Sequence, residues 1–151
     1  MRGFTFIEIL VSVALISIMG TLVISLINPA FQLEKARDAQ RKADLRQIQA
    51  ALELYRADQG SYPASLTCGA ALTNPPPVTA TYLRKIPCDP KNTGQYRYTY
   101  TTSAVACGVA NAQYCIITCL ENQKDPQKDA IDNATYCSGG STNWSYTAVN
   151  P

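Results

Sequence analysis

The sequence predicts an α+β protein: one long N-terminal α-helix, membrane-spanning in its first half and amphipathic in its second, packed on a small antiparallel β-sheet head. Three observations predict it. Residues 9–27 run for nineteen positions without a charge. Leu45, Ile48, Leu52 and Tyr55 recur at helical spacings of three and four. All six cysteines lie beyond residue 67, among short segments that alternate aromatic and polar residues. In 151 residues this amounts to one domain and a long helix.

The apolar run comes first. About 20 apolar residues in a helix cross a bilayer core, and residues 9–27 have that length. Arg2 and Gly3 precede Phe4, and a single acid, Glu8, stands just before the run. A carboxylate carried to the bilayer centre costs roughly 2.5–3.5 kcal/mol, so it needs a reason to be there. A secretory signal peptide has a shorter apolar stretch followed by a small-residue cleavage site, and neither fits. A plain anchor leaves Glu8 without a role. Two residues interrupt the helix: Gly20 weakens it by about 1 kcal/mol, and Pro29 removes a backbone bond and clashes with the preceding turn.

The second half is charged and alanine-rich. In residues 34–46 the charges alternate in sign, as on a solvated helix face carrying pairs four residues apart. The stripe from Leu45 to Tyr55 then faces a core. Gly60 suits a left-handed cap and Pro63 prevents the helix from restarting. If continuous over residues 4–58, the helix is on the order of 80 Å long.

The head begins at residue 60. Residues 96–100 alternate tyrosine with polar residues, as in a half-buried strand. Residues 114–120 read as a more buried strand and residues 143–149 as a third. The turns between them carry Gly108, Asn111, Gly139 and Gly140. Six cysteines, Cys68, Cys88, Cys107, Cys115, Cys119 and Cys137, are an even set confined to the head, which reads as disulfides formed in an oxidising compartment. Zinc is disfavoured because the chain has no histidine and no short paired cysteine knuckles. Cys68 and Cys88 bracket the proline-rich loop at 74–77 and suit each other. Cys115 and Cys119 face one side of a strand and are too far apart to bond each other. Their partners are Cys107 and Cys137, in either order.

Arg2-Gly3-Phe4-Thr5-Phe6-Ile7-Glu8 resembles the processing site of type IV pilins and the pseudopilins of type II secretion. Residues 50–63, with Gly60 and Pro63 at their end, resemble the helix exit of the same proteins. Residues 82–90 and 96–100 resemble the loop and first strand of the major pseudopilin. The resemblance implies a pilin-like fold divided into a leader at 1–3, a transmembrane and filament-core helix at 4–29, an amphipathic helix at 30–59 and a disulfide-stabilised head at 60–151. It implies cleavage between Gly3 and Phe4 by a prepilin peptidase, with N-methylation of Phe4. Glu8 of one subunit then pairs with the Phe4 amine of another during assembly, a device for fixing register. The family's usual proline lies one turn earlier, at Ser25 here, which leaves open whether the helix melts around Pro29 or only kinks.

The function so implied is a structural subunit of a type IV pilus-like filament, with a secretion pseudopilin, or a minor pilin acting as adhesin or DNA-binding module, as alternatives. Its partners are other copies of the chain, other pilins, the peptidase and an inner-membrane assembly platform. The chain is placed in the inner membrane before assembly and in an extracellular or periplasmic filament afterwards. Arg37, Arg41, Lys42 and Arg46 are nearly cancelled by Glu34, Asp38 and Asp44, and the net charge is +2, so nucleic acid is disfavoured and these residues read as a solvated or subunit-facing surface. No cofactor is expected. Pseudopilins often bind calcium in the loop corresponding to 121–133, where Asp125, Asp129 and Asp132 are candidate oxygen ligands. That loop has no glycine for a tight turn, and its two lysines oppose a cation; a solvated acidic loop is the plain reading. Without histidine or a recognisable nucleophile setting, the chain is not read as an enzyme.

Overall fold

The computed structural model describes residues 3–26, 28–103, 107, 111–129, 136, 137 and 144–150, with the side chains of 22–26 left aside. By its internal contacts the chain divides into two units, residues 1–33 and 34–151. Helix α1 spans Phe6–Leu26 and helix α2 spans Pro29–Gln59. Five strands follow: β1 (Leu72–Thr73), β2 (Thr81–Leu83), β3 (Thr99–Thr101), β4 (Cys115–Cys119) and β5 (Ser145–Val149). The architecture is α+β with antiparallel sheets.

The helical part is two helices and not one. Asn28 stands outside both and accepts at Oδ1 from the Phe31 amide, 3.3 Å away, while its carbonyl accepts from Gln32. Asn28 is thus the N-cap of α2, and Pro29 takes the first helical position, where its missing N–H costs nothing. Gly20 does not interrupt α1, whose helical backbone runs through it; a single glycine's cost of about 1 kcal/mol is spread over a long apolar helix. The described side chains of α1 are exposed on every side of the helix. Among the described residues no helix is long and apolar enough to cross a membrane, so a crossing at 9–27 rests on the sequence.

At its other end α2 stops as its residues dictate. Gly60 adopts φ +74° and donates its amide to the Arg56 carbonyl at 2.7 Å, a left-handed cap. The stripe of Leu45, Ile48, Ala51, Leu52 and Tyr55 is buried against Leu72, Ile86, Tyr114, Ile116 and Ala148.

Strands β3, β4 and β5 form a three-stranded meander with β4 in the centre. Cys115 lies opposite Val149 and Thr101, and Ile117 opposite Thr147 and Thr99. All five residues of β4 are buried, because alternate side chains serve two cores. Ile116 joins the core against α2, whereas Cys115, Ile117 and Cys119 join Cys107, Cys137 and Trp144 on the opposite face. The outer strands are shorter than the sequence suggests. Tyr96 and Tyr98 fall outside β3, each engaged by a charged residue as described below. Gly108, Gly139, Gly140 and the start of the third expected strand lie outside the described residues.

A second sheet, the β1–β2 hairpin, was not legible as strands. Its proline-rich connection is organised by Asn74, whose Oδ1 accepts from the amides of Thr79 and Ala80 at 2.9 and 2.8 Å. The bond Cys68–Cys88 closes the segment that carries this hairpin. The others are Cys107–Cys115 and Cys119–Cys137.

Candidate assembly site and the buried ion cluster

At the N-terminal end, Gly3, Phe4 and Thr5 are non-helical and exposed, with Phe4 79% accessible. Thr5 caps α1. Its carbonyl accepts from the amides of Glu8 and Ile9, and its Oγ1 lies 3.4 Å from the Glu8 amide. Thr5-Phe6-Ile7-Glu8 is a capping-box sequence, with the acid at the third helical position. Glu8 therefore sits where negative charge is favoured by the helix N-terminus. That local role was overlooked in the sequence, although Ser/Thr followed by Glu three residues later is its ordinary signal. Phe6 and the following apolar side chains stand open, from Phe6 at 82% to Val11 at 50%. An apolar helix uncovered on all sides is complete only against lipid or other apolar helices.

The main departure from expectation lies on α2. Arg37, Arg41 and Lys42 do not form a solvated surface. Extending the stripe of Leu45 backwards in steps of three and four reaches Lys42, Arg41 and Asp38, and these are buried. Arg41 has no solvent exposure at all. Its guanidinium grips Asp89 with two bonds, Nε to Oδ2 at 2.7 Å and Nη2 to Oδ1 at 3.1 Å. Its Nη1 reaches Asp38 at 2.7 Å and Glu121 at 2.8 Å. Glu121 also receives Arg37, with Nε to Oε1 at 2.7 Å, and the Lys91 ammonium at 2.7 Å. The Tyr96 ring faces both cations, 5.0 Å from the Arg41 guanidinium carbon and 4.5 Å from the Lys91 ammonium.

Three cations (Arg37, Arg41 and Lys91) and three carboxylates (Asp38, Asp89 and Glu121) thus meet in one neutral cluster. Backbone donors complete it. Asp38 accepts from the amides of Glu121 and Asn122, at 2.9 and 2.8 Å, and Asp89 from the amide of Lys91 at 2.8 Å. Burial pushes the Glu121 carboxyl up, but hydrogen bonds from Arg37, Lys91 and Arg41 outweigh it and hold the group down at about 2. Burial lowers Arg41, and the hydrogen bonds it donates to Asp89 and Glu121 more than reverse this, so it stays charged. A buried charge is tolerated when paired and hydrogen-bonded throughout.

A second pair lies beside it. The Lys42 ammonium is 2.6 Å from Asp125 Oδ1 and 3.1 Å from Gln127 Oε1. Burial raises the Asp125 carboxyl, and the Lys42 bond brings it below its ordinary value. Asp129 accepts at Oδ2 from the hydroxyls of Ser145 and Thr147, each at 2.7 Å, and at Oδ1 from the Thr147 amide. The segment 121–129 is accordingly a half-buried strap fixed to α2 and β5, not a solvated acidic loop. Among the described residues no three acidic or cysteine side chains gather as a metal site; Asp132 lies outside the described residues. Of Arg37, Arg41, Lys42 and Arg46, only Arg46 is exposed.

Tyrosines bridge α2 to the rest of the head. Tyr62 donates to Glu53 at 2.8 Å and packs edge-on against Tyr114. Tyr98 donates to Asp44 at 2.7 Å, and Tyr100 to the Pro63 carbonyl at 2.8 Å. All six cysteines are in disulfides.

The family described as "Type II secretion system (T2SS), protein G" matches residues 29–111. That stretch holds α2, the first disulfide, Asp89 and β3, and stops short of the N-terminal end. The type II secretion system core protein G of Pseudomonas aeruginosa is 34% identical over 96 residues, covering 58% of this chain and 66% of the relative. The protein of the same name from Pectobacterium carotovorum is 30% identical over 100 residues, covering 61% and 63%. That from Escherichia coli K12 is 30% identical over 97 residues, covering 59% and 66%. In these alignments the chain spans just under two thirds of each relative's length. No solved structure matches the chain. With more than half of its length matched, the chain belongs to the protein G family of type II secretion systems.

Proposed function

We propose that this chain is a pseudopilin-type structural subunit of a type II secretion system, assembled into a short filament through its N-terminal helix. The observation that carries the reading is the family match over residues 29–111. It favours the secretion alternative over the surface pilus that the N-terminal motif by itself suggested. The role is structural and not catalytic, in keeping with the family.

The N-terminal end supports the rest. Cleavage between Gly3 and Phe4 by a prepilin peptidase acts on an exposed, non-helical segment ahead of α1. The charge-free residues 9–27 hold the precursor in the inner membrane with the disulfide-bonded head on the oxidising side. On assembly the same apolar surface is transferred from lipid to neighbouring subunits. The Phe4 amine meets Glu8 of another copy, so docking removes two unpaired charges at once. Partners are further copies of the chain, other pseudopilins, the peptidase and an inner-membrane assembly platform. The filament is periplasmic.

Deleting the gene and following exported proteins tests this. Loss of exported enzymes, with surface fibres unaffected and a product beginning at Phe4 in the complemented strain, is the expected result. Fibres lost and secretion intact would return the reading to a surface pilus. A single copy at a filament tip would indicate a binding subunit.

A further inference from the structure

We infer that the Lys42 ammonium is the built-in cation of the strap 121–129, so that this chain orders the strap without a divalent metal ion. The inference rests on residues of α2 and of the head and is independent of the filament reading.

The strap's oxygen donors define what could bind there. A calcium ion takes six to eight oxygens at about 2.3–2.6 Å. Each carboxylate on or against the strap already holds a donor of the chain itself. Glu121 takes Arg37, Arg41 and Lys91. Asp38 takes two strap amides together with Arg41. Asp129 takes two hydroxyls and an amide from β5. Asp125 remains, and Lys42 occupies it.

The geometry around Lys42 resembles a cation site with the ion covalently tethered. An ammonium offers three donors. One is directed to Asp125 Oδ1 at 2.6 Å and another to Gln127 Oε1 at 3.1 Å. The Tyr146 ring, 5.7 Å from the nitrogen, supplies a third, electron-rich side. Asp125 is held in place by the Gln127 amide, 2.8 Å from the same oxygen. Lys42 and Asp125 are nearly buried, with side-chain exposures of 11% and 12%. Lys124 and Lys128 add positive charge on the strap, and the Lys128 ammonium occupies the Gln123 carbonyl at 2.9 Å. Among the described residues, a second cation arriving at Asp125 would meet the Lys42 ammonium, on a strap that carries two more.

The full chain, purified in detergent micelles, is heated with calcium in large excess and again with EDTA. An ion bound at a hundredfold excess over its dissociation constant would raise the unfolding midpoint by roughly 5–10 °C. The expected result is no difference, and no calcium retained per chain on equilibrium dialysis. A rise of that size, or one ion retained per chain, overturns the inference. Hydrogen exchange then separates the tether from general stability. In Lys42→Met the amides of Gln127 and Thr147 are expected to exchange at least about tenfold faster while Ile116 and Leu52 stay protected. Lys42→Arg is expected to restore most of the protection. Unchanged protection in Lys42→Met also overturns it. If Lys42→Met does not fold, the calcium measurement on the unaltered chain still decides.

Discussion

Arg41 and Asp89 stand 48 residues apart in sequence and form a two-pronged ion pair from which solvent is fully excluded. The pair fastens α2 to the segment that follows the first disulfide. Removing one partner of such a pair strands the other, which costs on the order of 3–5 kcal/mol. Arg41→Met is therefore expected to lose that much stability in urea unfolding at neutral pH. Arg41→Lys is expected to recover only part of it, because a single ammonium cannot fork between Asp38, Asp89 and Glu121. A loss below about 1 kcal/mol would show the cluster to be energetically neutral.

Glu121 gives the cluster a pH dependence. Its folded value of about 2 lies below the ordinary 4.5, so the unfolded chain binds the proton more tightly. Its contribution is then fully present above about pH 4.5 and is lost as pH falls toward 2. The size is on the order of 2–3 kcal/mol. Urea midpoints between pH 6 and pH 3 are expected to fall, and Glu121→Gln is expected to flatten part of that slope while lowering stability at pH 6. A midpoint rising with acidity would contradict this.

Glu8 is expected to separate two roles by its response to substitution. Glutamine serves in a capping box as glutamate does, so Glu8→Gln keeps the start of α1 while removing the charge. If docking depends on the charge, both Glu8→Gln and Glu8→Ala are cut at Gly3/Phe4 but fail to assemble. N-terminal sequencing and subunit cross-linking read the two steps. Assembly of Glu8→Gln at the normal level would leave only the capping role.

The disulfide Cys68–Cys88 spans 20 residues. In the chain-entropy view a closed loop of this size is worth about 3 kcal/mol. The paired substitution Cys68→Ala/Cys88→Ala is expected to lower the thermal midpoint by roughly 6–12 °C, with hydrogen exchange rising first in the β1–β2 hairpin. A midpoint within about 2 °C of the original would mean that the native contacts of Asn74 and Ile86 hold this segment unaided.

The parts of the fold that were legible are those set by short-range periodicity. Leu45, Ile48, Leu52 and Tyr55 marked the core face of α2, and Gly60 its end. Cys115 and Cys119, two strand steps apart, marked one face of β4. What stayed hidden depends on distant partners. Arg41 reads as a surface residue until Asp89 and Glu121 approach from 48 and 80 residues away. Nothing local to Lys91 or Tyr96 announces the cluster either, although the spacing of Asp38 and Arg41 ahead of Leu45 carried half of the signal. The hairpin strands were missed because two or three residues are too few to show a period. The interruption expected at Pro29 falls at the start of α2, where Pro29 with Asn28 ahead of it is the ordinary opening of a second helix, whereas the one expected at Gly20 is absent because the helix runs through it.

That opening changes what the joint demands of the chain. Asn28 and Pro29 satisfy the first turn of α2 from within, Asn28 through its side-chain acceptor and Pro29 by bringing no donor that needs a partner. Replacing Asn28 with alanine would take the side-chain acceptor from the Phe31 amide and loosen the start of α2 while leaving the apolar residues of α1 as they are.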